Sequence, residues 1–259
     1  MHWRITGDET RPVITARQHI ESAHAQGGML QLPKKCVLFE MGMALPFIEA
    51  NFPTTVLAEK LPCFIASSRC IGVEGMPGVC FVQGGYGAPA AVDTLETVRA
   101  LGVEEVIIAG MCGGFGENLR VGDIIVPARI LCEEGTSFHY KEEPLWALPD
   151  ISLHEKLRAC LEKRGPVLTD ATVTCDAFYR QTFMKEQKWR ETGCVAVDME
   201  ASALLNAAEI LGMRAAAALI CSDKHPMHEK EEKWAWGDGG LGDKRRAFVR
   251  EIVRFALTL

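Results

Sequence analysis

The feature that most limits the fold is an alternation of short apolar runs with longer helical patterns. Runs such as CVLFE, GVCFVQGG and EEVIIAG are each followed by a helical segment or a glycine-rich turn. Strands that alternate with helices are typical of a parallel sheet covered on both faces. We therefore predict an α/β protein with a single domain, in which helices flank a mixed, mostly parallel central β-sheet. Residues 36–259 form this domain, and residues 1–35 form a polar N-terminal extension.

Composition excludes several classes of partner. The chain has 259 residues, of which 48% are hydrophobic, and a formal net charge of -6. Because acidic and basic residues are interspersed, no basic stripe is available to bind nucleic acid or an anionic membrane. Ten scattered cysteines without a CxxC pair indicate buried, reduced thiols. With neither a secretory signal nor a charge-free stretch that could span a bilayer, we expect a cytoplasmic protein.

Glycine and polar residues follow several of the predicted strands. In a parallel sheet, ligands bind at the carboxyl ends of the strands, where the loops meet. Two of these ends are rich in glycine, QGGYGAP and AGMCGGFG, and three carry reactive or aromatic side chains, TCDAFY, VDME and ICSDKH. The glycine spacing fits neither a dinucleotide fingerprint nor a triphosphate loop. We therefore expect a cleft for another class of small molecule, formed by two adjacent glycine-rich strand ends.

Three side chains at these strand ends are the chemical candidates. Glu200 lies at the start of a predicted helix, whose dipole favours the ionised carboxylate. Asp223 ends a buried strand, where it either caps the next segment or, in surroundings that raise its pKa, protonates a leaving group. Phe178 either stacks on a flat heterocycle or lies in the core, which is the commoner place for such a residue.

Histidines follow the last of these strands, but their spacing argues against a metal site. Pro226 lies between His225 and His228 and breaks the helical face that a metal pair would need. No third ligand stands out nearby. We expect solvated loop histidines and no bound metal.

Five segments, in this order along the chain, resemble the nucleoside phosphorylase family. This family includes uridine phosphorylase, hexameric purine nucleoside phosphorylase and the methylthioadenosine/adenosylhomocysteine nucleosidases. The segments are GGYGAPAAVDTLETVRALGVEEVIIAGMCGG, LRVGDIIVPARILCEEGTSFHY, ATVTCDAFY, VAVDMEASALL and ICSD. The resemblance spans about Cys36 to Leu259. It implies cleavage of the N-glycosidic bond of a purine nucleoside or a uridine-like nucleoside, and a homo-oligomer that is a dimer or a hexamer. It also implies no cofactor, with inorganic phosphate as co-substrate where phosphorolysis is retained.

The resemblance also implies roles for individual residues. Glu200 would hold the ribose hydroxyls, Met199 would pack against the sugar, and Asp223 would protonate or hydrogen-bond the leaving purine nitrogen. This pair of acids suits the reaction, which develops positive charge on the sugar and negative charge on the base. The implied substrate-binding residues are Met199, Asp198, Phe178, Tyr86, Gly110 and Gln181.

The anion-binding part of the family's site is altered in this chain. Gly42 is retained and, with Met111, marks the predicted phosphate or water site. However, Pro46 and Ile108 occupy positions where phosphorylases of the family carry arginine. Without those guanidinium groups the bidentate hydrogen bonds to phosphate are lost. Three alternatives therefore stay open: phosphorolysis, hydrolysis by water, and a nucleoside-binding protein without turnover.

Three features of the sequence receive no function from the residue pattern or from the resemblance. Glu40 is near the first loop but does not clearly match the water-activating glutamate of the nucleosidases. Trp234 and Trp236 lie in a charged loop, and the sequence does not determine whether this loop covers the cleft. The N-terminal extension also has no assigned role.

Overall fold

One mixed sheet organises the chain. The computed structural model describes residues 7–8, 10–22, 30–66, 68–230, 234–237 and 239–259. Every strand in these ranges belongs to a single sheet, with helices packed on both faces. The predicted α/β class is confirmed.

The secondary-structure elements alternate along the chain much as the sequence pattern predicts. The strands are β1 (Lys35–Glu40), β2 (Thr54–Ala58), β3 (Cys70–Val73), β4 (Met76–Gln83), β5 (Glu105–Gly114), β6 (Ile124–Ile125), β7 (Ile130–Glu133), β8 (Trp146–Ala147), β9 (Val167–Leu168), β10 (Ala171–Cys175), β11 (Cys194–Asp198), β12 (Arg214–Lys224) and β13 (Ala235–Trp236). The helices are α1 (Ala16–Glu21), α2 (Ala44–Asn51), α3 (Ala88–Ala100), α4 (Ile151–Leu161), α5 (Phe183–Glu191), α6 (Ala201–Ile210) and α7 (Leu241–Ala256).

Parallel strands form the centre of the sheet. β1 pairs in parallel with β4 on one side and with β5 on the other, and β5 pairs in parallel with β12. The two glycine-rich strand ends, which follow β4 and fall within β5, are therefore separated by β1. The prediction that they end adjacent strands is wrong in this respect, because the chain inserts its first strand between them.

Side chains of the central strands alternate between two cores. Leu38 of β1 lies in the core that α3 and α6 cover, whereas Phe39 lies in the core that α2, α4 and α7 cover. Phe39 stacks on Phe81 of β4, with ring centroids 6.4 Å apart. A period of two therefore buries both faces of each strand, as expected for a covered parallel sheet.

The carboxyl end of β5 pairs with a strand that runs the other way. Gly113 and Gly114 pair antiparallel with Val197 and Ala196 of β11. Because β11 runs back along β5, its last residue, Asp198, comes close enough to the carboxyl end of β1 to interact electrostatically with Glu40. This reversal brings together strand ends that a fully parallel sheet would hold apart.

Two β-rich segments, the first predicted as a long strand or a strand pair and the second as one strand, each contain two short strands. The segment VGDIIVPARILCEEG contains β6 and β7, which pair with different neighbours. The segment GPVLTDATVTC likewise contains β9 and β10. In the N-terminal extension, α1 begins with a capping box at Thr15 and buries Ile20. The pattern ARQHIESAHAQ predicts a helix that Gly27 and Gly28 end, but α1 ends earlier, at Glu21, with Ser22 as its C-cap. The two glycines lie outside the described residues.

Two further properties concern the chain as a whole. None of the helices in the described ranges is both long and apolar enough to cross a membrane. All ten cysteines are free thiols, and all except Cys63 and Cys160 are buried. The expectation of buried thiols holds for the other eight.

Candidate active site

Glu200 joins two of the segments that the sequence singles out. It immediately precedes α6, is only 8% exposed, and its Oε1 accepts a 2.7 Å hydrogen bond from the backbone N–H of Gly87. Gly87 has a φ of 82°, which favours glycine, and precedes α3. Burial raises the pKa of Glu200 to about 8, and the charge of Asp198 adds to the rise. Burial therefore opposes the helix dipole, which favours the ionised form of Glu200.

Asp198 holds the turn that carries Glu200. Its Oδ1 accepts a 2.7 Å hydrogen bond from the Thr174 hydroxyl. Its Oδ2 accepts hydrogen bonds from the backbone N–H groups of Glu200 and Ala201, at 3.0 and 2.6 Å. Burial raises the pKa of Asp198 to about 6 despite these hydrogen bonds. Both oxygens are thus used to order the start of α6.

Glu40 completes what we call the carboxyl cluster, made of Glu40, Asp198 and Glu200. It ends β1 opposite Gly110 and is 4% exposed. Neither carboxyl oxygen has a hydrogen-bond partner among the described residues. A Cβ on Gly84 would overlap the Glu40 carboxyl group, so the glycine turn after β4 makes room for it. Burial raises the pKa of Glu40 well above its usual value, and Glu200 and Asp198 raise it further.

Tyr86 connects the carboxyl cluster with the predicted phosphate or water site. Its hydroxyl lies against Gly42, where a Cβ would be 3.1 Å away. Burial raises the pKa of Tyr86, a hydrogen bond with Gly42 lowers it, and the charges of Glu40 and Glu200 raise it. The structure therefore brings Tyr86, Gly42 and the carboxyl cluster together. Gly110 lies beneath the same cluster, since its Cβ would be 3.4 Å from that of Glu40.

Met111, on the next position of β5, faces the other core. It is half-buried, and its sulfur lies 4.0 Å from Nη1 of Arg245 on α7. Nε of Arg245 is buried and lacks a hydrogen-bond partner, and no carboxylate in the described ranges pairs with Arg245. By contrast, Arg69 is held by Glu49 and Glu59 at 2.5 and 2.8 Å. Next to Met111 there is thus a guanidinium group that no acid among the described residues neutralises.

A second group of residues lines a cavity of about 290 Å³, which we call the aromatic cavity. Its walls are largely apolar with a few polar groups, which suits a flat heterocyclic ligand. Phe178 is 42% exposed and packs edge-to-face on Tyr179 at 5.0 Å, so it is not a core residue. The residues that line the aromatic cavity are Phe178, Tyr179, Gln181, Phe183, Glu186, His225, Pro226 and Trp234.

Asp223 is hydrogen-bonded to two residues of the aromatic cavity. Its Oδ2 accepts a 2.6 Å hydrogen bond from Nε1 of Trp234 and lies 3.1 Å from Nε2 of His225. Its Oδ1 accepts a 2.6 Å hydrogen bond from the Ser222 hydroxyl. Burial by itself would raise the pKa of Asp223, but these donors and the His225 charge lower it. The expectation that its surroundings raise the pKa is wrong, and Asp223 is a carboxylate.

His225 is buried between two acids, so the prediction of a solvated loop histidine is wrong. Its side chain is 11% exposed, and Nδ1 lies 2.6 Å from Oε1 of Glu186 on α5. Burial lowers the pKa of His225, but its hydrogen bonds with Asp223 and Glu186 raise it to about 9. The ring lies against Gly113, where a Cβ would overlap it. Sequence alone does not reveal that α5 supplies the second acid.

The remaining predicted residues fall near one of these groups. Met199, which lies between Asp198 and Glu200 in the sequence, is half-buried. Gln181 lines the aromatic cavity. Trp234 lines the cavity and Trp236 does not, but the two rings pack edge-to-face with their centroids 6.4 Å apart. Within the described ranges, no cluster of three or more His, Cys, Asp or Glu side chains is arranged to hold a metal ion.

Comparison with known proteins identifies the family. The family model of the Phosphorylase superfamily matches residues 38–254. The chain belongs to this superfamily.

Two relatives and one solved structure illustrate where the chain stands within it. A guanosine phosphorylase from Halorubrum lacusprofundi is 30% identical over 67% of this chain and 71% of its own length. A DeoD-type purine nucleoside phosphorylase from Exiguobacterium sp. is 29% identical over 68% and 72%. The purine nucleoside phosphorylase of Toxoplasma gondii in complex with immucillin-H has a TM-score of 0.75 at 18% identity, covering 88% of this chain and 92% of that one. This last likeness concerns the fold.

The bracing role of Asp198 predicts a large effect on stability. Asp198→Ala removes the hydrogen bonds at the start of α6 and leaves the buried Thr174 hydroxyl, which still accepts from the Ser202 N–H, without an acceptor for its own proton. We expect a loss of about 2–4 kcal/mol in the free energy of unfolding, measured by urea denaturation. Asp243→Ala is the control, because this carboxylate is exposed and should cost less than about 0.5 kcal/mol. Equal losses in the two variants would contradict the bracing role.

Glu40 predicts a specific dependence of stability on pH. In the unfolded chain Glu40 loses its proton near pH 4.5, whereas the folded protein retains it to a higher pH. Stability therefore falls as the pH rises above about 4.5. Glu40→Gln removes this slope, so its melting temperature should fall less than that of the wild type between about pH 5 and pH 8.

Calorimetry measures this difference, at about 2–4 °C for each kcal/mol. Glu74→Gln, in the exposed turn between β3 and β4, is the matched control and should follow the wild type. Parallel curves for the wild type and Glu40→Gln would mean that Glu40 titrates as an ordinary surface acid.

Proposed function

We propose that the protein cleaves the N-glycosidic bond of a purine nucleoside, with inorganic phosphate as acceptor. The observation that carries the proposal is the placement of Glu200, held by Gly87 in the carboxyl cluster, in the same structure as an aromatic cavity lined by His225, with which Asp223 is in hydrogen-bond contact. Membership of the Phosphorylase superfamily supports it, as do relatives named guanosine and purine nucleoside phosphorylases. The base is the part of the substrate that fits the aromatic cavity.

The carboxyl cluster is the proposed sugar site. Cleavage of a glycosidic C–N bond builds positive charge on the ribose, which a nearby carboxylate stabilises. Glu200 has one oxygen bound to Gly87, which leaves the other for the ribose hydroxyls. Met199 packs against the sugar and Tyr86 covers the side that faces Gly42. Substrate hydroxyl groups also give Glu40 the hydrogen-bond partners that it lacks among the described residues.

The base binds in the aromatic cavity in this proposal. Phe178 stacks on one face of the purine, and Gln181 supplies an amide that can both donate and accept hydrogen bonds. Asp223 and His225 face the developing negative charge. A pocket lined largely by aromatic side chains, with a few polar groups, suits a heterocycle better than an extended chain.

Arg245 is the proposed source of positive charge at the acceptor site. Pro46 and Ile108 occupy the positions at which the family resemblance implies phosphate-binding arginines. Arg245 approaches Met111 and has no carboxylate partner in the described ranges. Backbone N–H groups near Gly42 and a single guanidinium group can bind a phosphate dianion, with fewer hydrogen bonds than two arginines would give. The same shortage of arginines favours hydrolysis by water as the second candidate function.

The finer properties of the protein are also proposals. We place it in the cytoplasm as a homo-oligomer, either a dimer or a hexamer, with no cofactor besides phosphate as co-substrate. Small-molecule nucleosides are its partners. Light scattering on the purified protein distinguishes a dimer from a hexamer by mass.

The acceptor is tested by product analysis. The protein is incubated with guanosine, inosine, adenosine and uridine, each with and without phosphate. We expect ribose 1-phosphate to form with purine nucleosides only when phosphate is present. Base release that is indifferent to phosphate would establish hydrolysis, and binding without any product would establish a nucleoside-binding protein.

Glu200→Ala should abolish most of the activity. Loss of the carboxyl group removes an interaction that strengthens as charge develops on the sugar, so kcat should fall by roughly 100-fold or more. Glu209→Ala is the control, because Glu209 is also on α6 but is exposed and pairs with Lys141. Steady-state kinetics measures both. Unchanged turnover in Glu200→Ala would contradict the sugar site.

Arg245→Gln should act on phosphate alone. Removing the guanidinium group should raise KM for phosphate by about 10-fold, equivalent to one charge-assisted hydrogen bond. KM for the nucleoside should change by less than about 2-fold. Arg246→Gln is the control, since Arg246 is exposed and pairs with Asp243. Equal KM values for phosphate in the two variants would contradict the role of Arg245.

A further inference from the structure

We infer that His225 supplies the proton that the departing base takes up, and that Asp223 passes this proton on. This inference rests on the proposed function and changes the source of the proton within it. His225 lines the aromatic cavity, and its Nε2 lies 3.1 Å from Oδ2 of Asp223. The two side chains therefore form a pair in direct hydrogen-bond contact at the proposed base site.

Asp223 has no proton of its own to give. Its two oxygens accept hydrogen bonds from Ser222, Trp234 and His225, and a carboxylate that accepts several hydrogen bonds stays ionised. The lowered pKa of Asp223 agrees with this geometry. A purine that leaves with an electron pair on its nitrogen therefore needs another source of the proton.

Of the described side chains within hydrogen-bond distance of the Asp223 carboxylate, His225 alone can act as an acid near neutral pH. The Trp234 indole and the Ser222 hydroxyl donate hydrogen bonds but do not ionise near neutral pH. The imidazole of His225 is held between Asp223 and Glu186, which keeps it protonated, in line with its raised pKa of about 9. Imidazole is also the side chain that most often transfers protons in enzymes.

The proton balance of the step is complete. The C–N bond between ribose and base breaks, and its electron pair stays on the purine nitrogen while phosphate adds to the sugar carbon. The proton moves from Nε2 of His225 to Oδ2 of Asp223 and from Asp223 to that nitrogen. His225 is then neutral, and solvent restores its proton once the neutral base has left.

Neighbouring groups hold His225 in place for this role. Glu186 fixes Nδ1 at 2.6 Å, which leaves Nε2 directed at Asp223. Arg190 lies 3.9 Å from the other oxygen of Glu186, and Lys224 binds the backbone oxygen of Gly116 instead of entering the pair. Gly113 of β5 has no Cβ, and this leaves room for the His225 ring to lie against the strand. Glu186 is thus a positioning residue, acting through His225.

Two substrates separate a proton supply from a structural role. Guanosine leaves as a base that must gain a proton. The purine of 7-methylguanosine already carries a positive charge, so it leaves as a neutral base without one. In His225→Gln, kcat/KM for guanosine should fall by roughly 100-fold, while the value for 7-methylguanosine should stay within about 3-fold of the wild type. Retained cleavage of 7-methylguanosine also demonstrates that the variant is folded.

The pH dependence of guanosine cleavage gives a second readout. Wild-type kcat should decline above about pH 9, where His225 loses its proton. Glu186→Gln removes one of the carboxylates that keep the imidazole charged, so the decline should move to lower pH. This profile decides the question if the wild type rejects 7-methylguanosine. His228→Gln, an exposed histidine three positions farther on, is the control and should match the wild type in both measurements.

Failure of the inference and failure of the proposed function give different results. Equal losses on both substrates in His225→Gln, or guanosine cleavage at the wild-type rate, would overturn the role of His225 while the proposed function stands. An unshifted profile in Glu186→Gln would do the same for Glu186. A wild-type protein that cleaves no nucleoside would overturn the proposed function, and the proton supply with it.

Discussion

The antiparallel contact between the end of β5 and β11 is the constraint on which the rest of the site depends. Gly113 and Gly114 pair with Val197 and Ala196, and this reversal directs the end of β11 towards β1. It brings Glu200 into the neighbourhood of Glu40. Because both paired residues of β5 are glycines, their backbone can also be approached closely by other side chains, among them the ring of His225. One local reversal therefore shapes both the carboxyl cluster and the contact between His225 and Asp223.

The two halves of the site hold their protons in opposite ways. In the carboxyl cluster, burial and mutual repulsion raise the pKa values of the acids, and no described hydrogen-bond donor counters this rise at Glu40. Beside the aromatic cavity, donors surround Asp223 and lower its pKa, and the proton resides on His225 instead. On the proposed sugar side, Glu40 is therefore a carboxyl group that keeps its proton. On the base side, Asp223 is a carboxylate beside a charged imidazole.

The sequence predicts the fold class and the strand ends, because hydrophobic period and glycine positions are local signals. It also predicts that Glu200 lies at a helix start, as the structure has it. For Phe178 it leaves a stacking position and the core open, and the structure puts the ring at a cavity wall. The charge states could not be predicted, because they depend on contacts between distant segments. Glu186 lies 39 positions from His225, and nothing in ICSDKH indicates that α5 supplies a second acid. Glu40 likewise looks like the end of an apolar strand until the space above Gly84 is known.

The hydrogen bond from Trp234 to Asp223 has an optical consequence. Indole fluorescence responds to the charge of a group within hydrogen-bond distance, and here that group is the carboxylate that exchanges a proton with His225. Trp234 is also half exposed at the wall of the aromatic cavity, where a bound heterocycle would contact it. The chain thus carries an intrinsic spectroscopic reporter, through which ligand occupancy and proton position can be followed on an unlabelled protein.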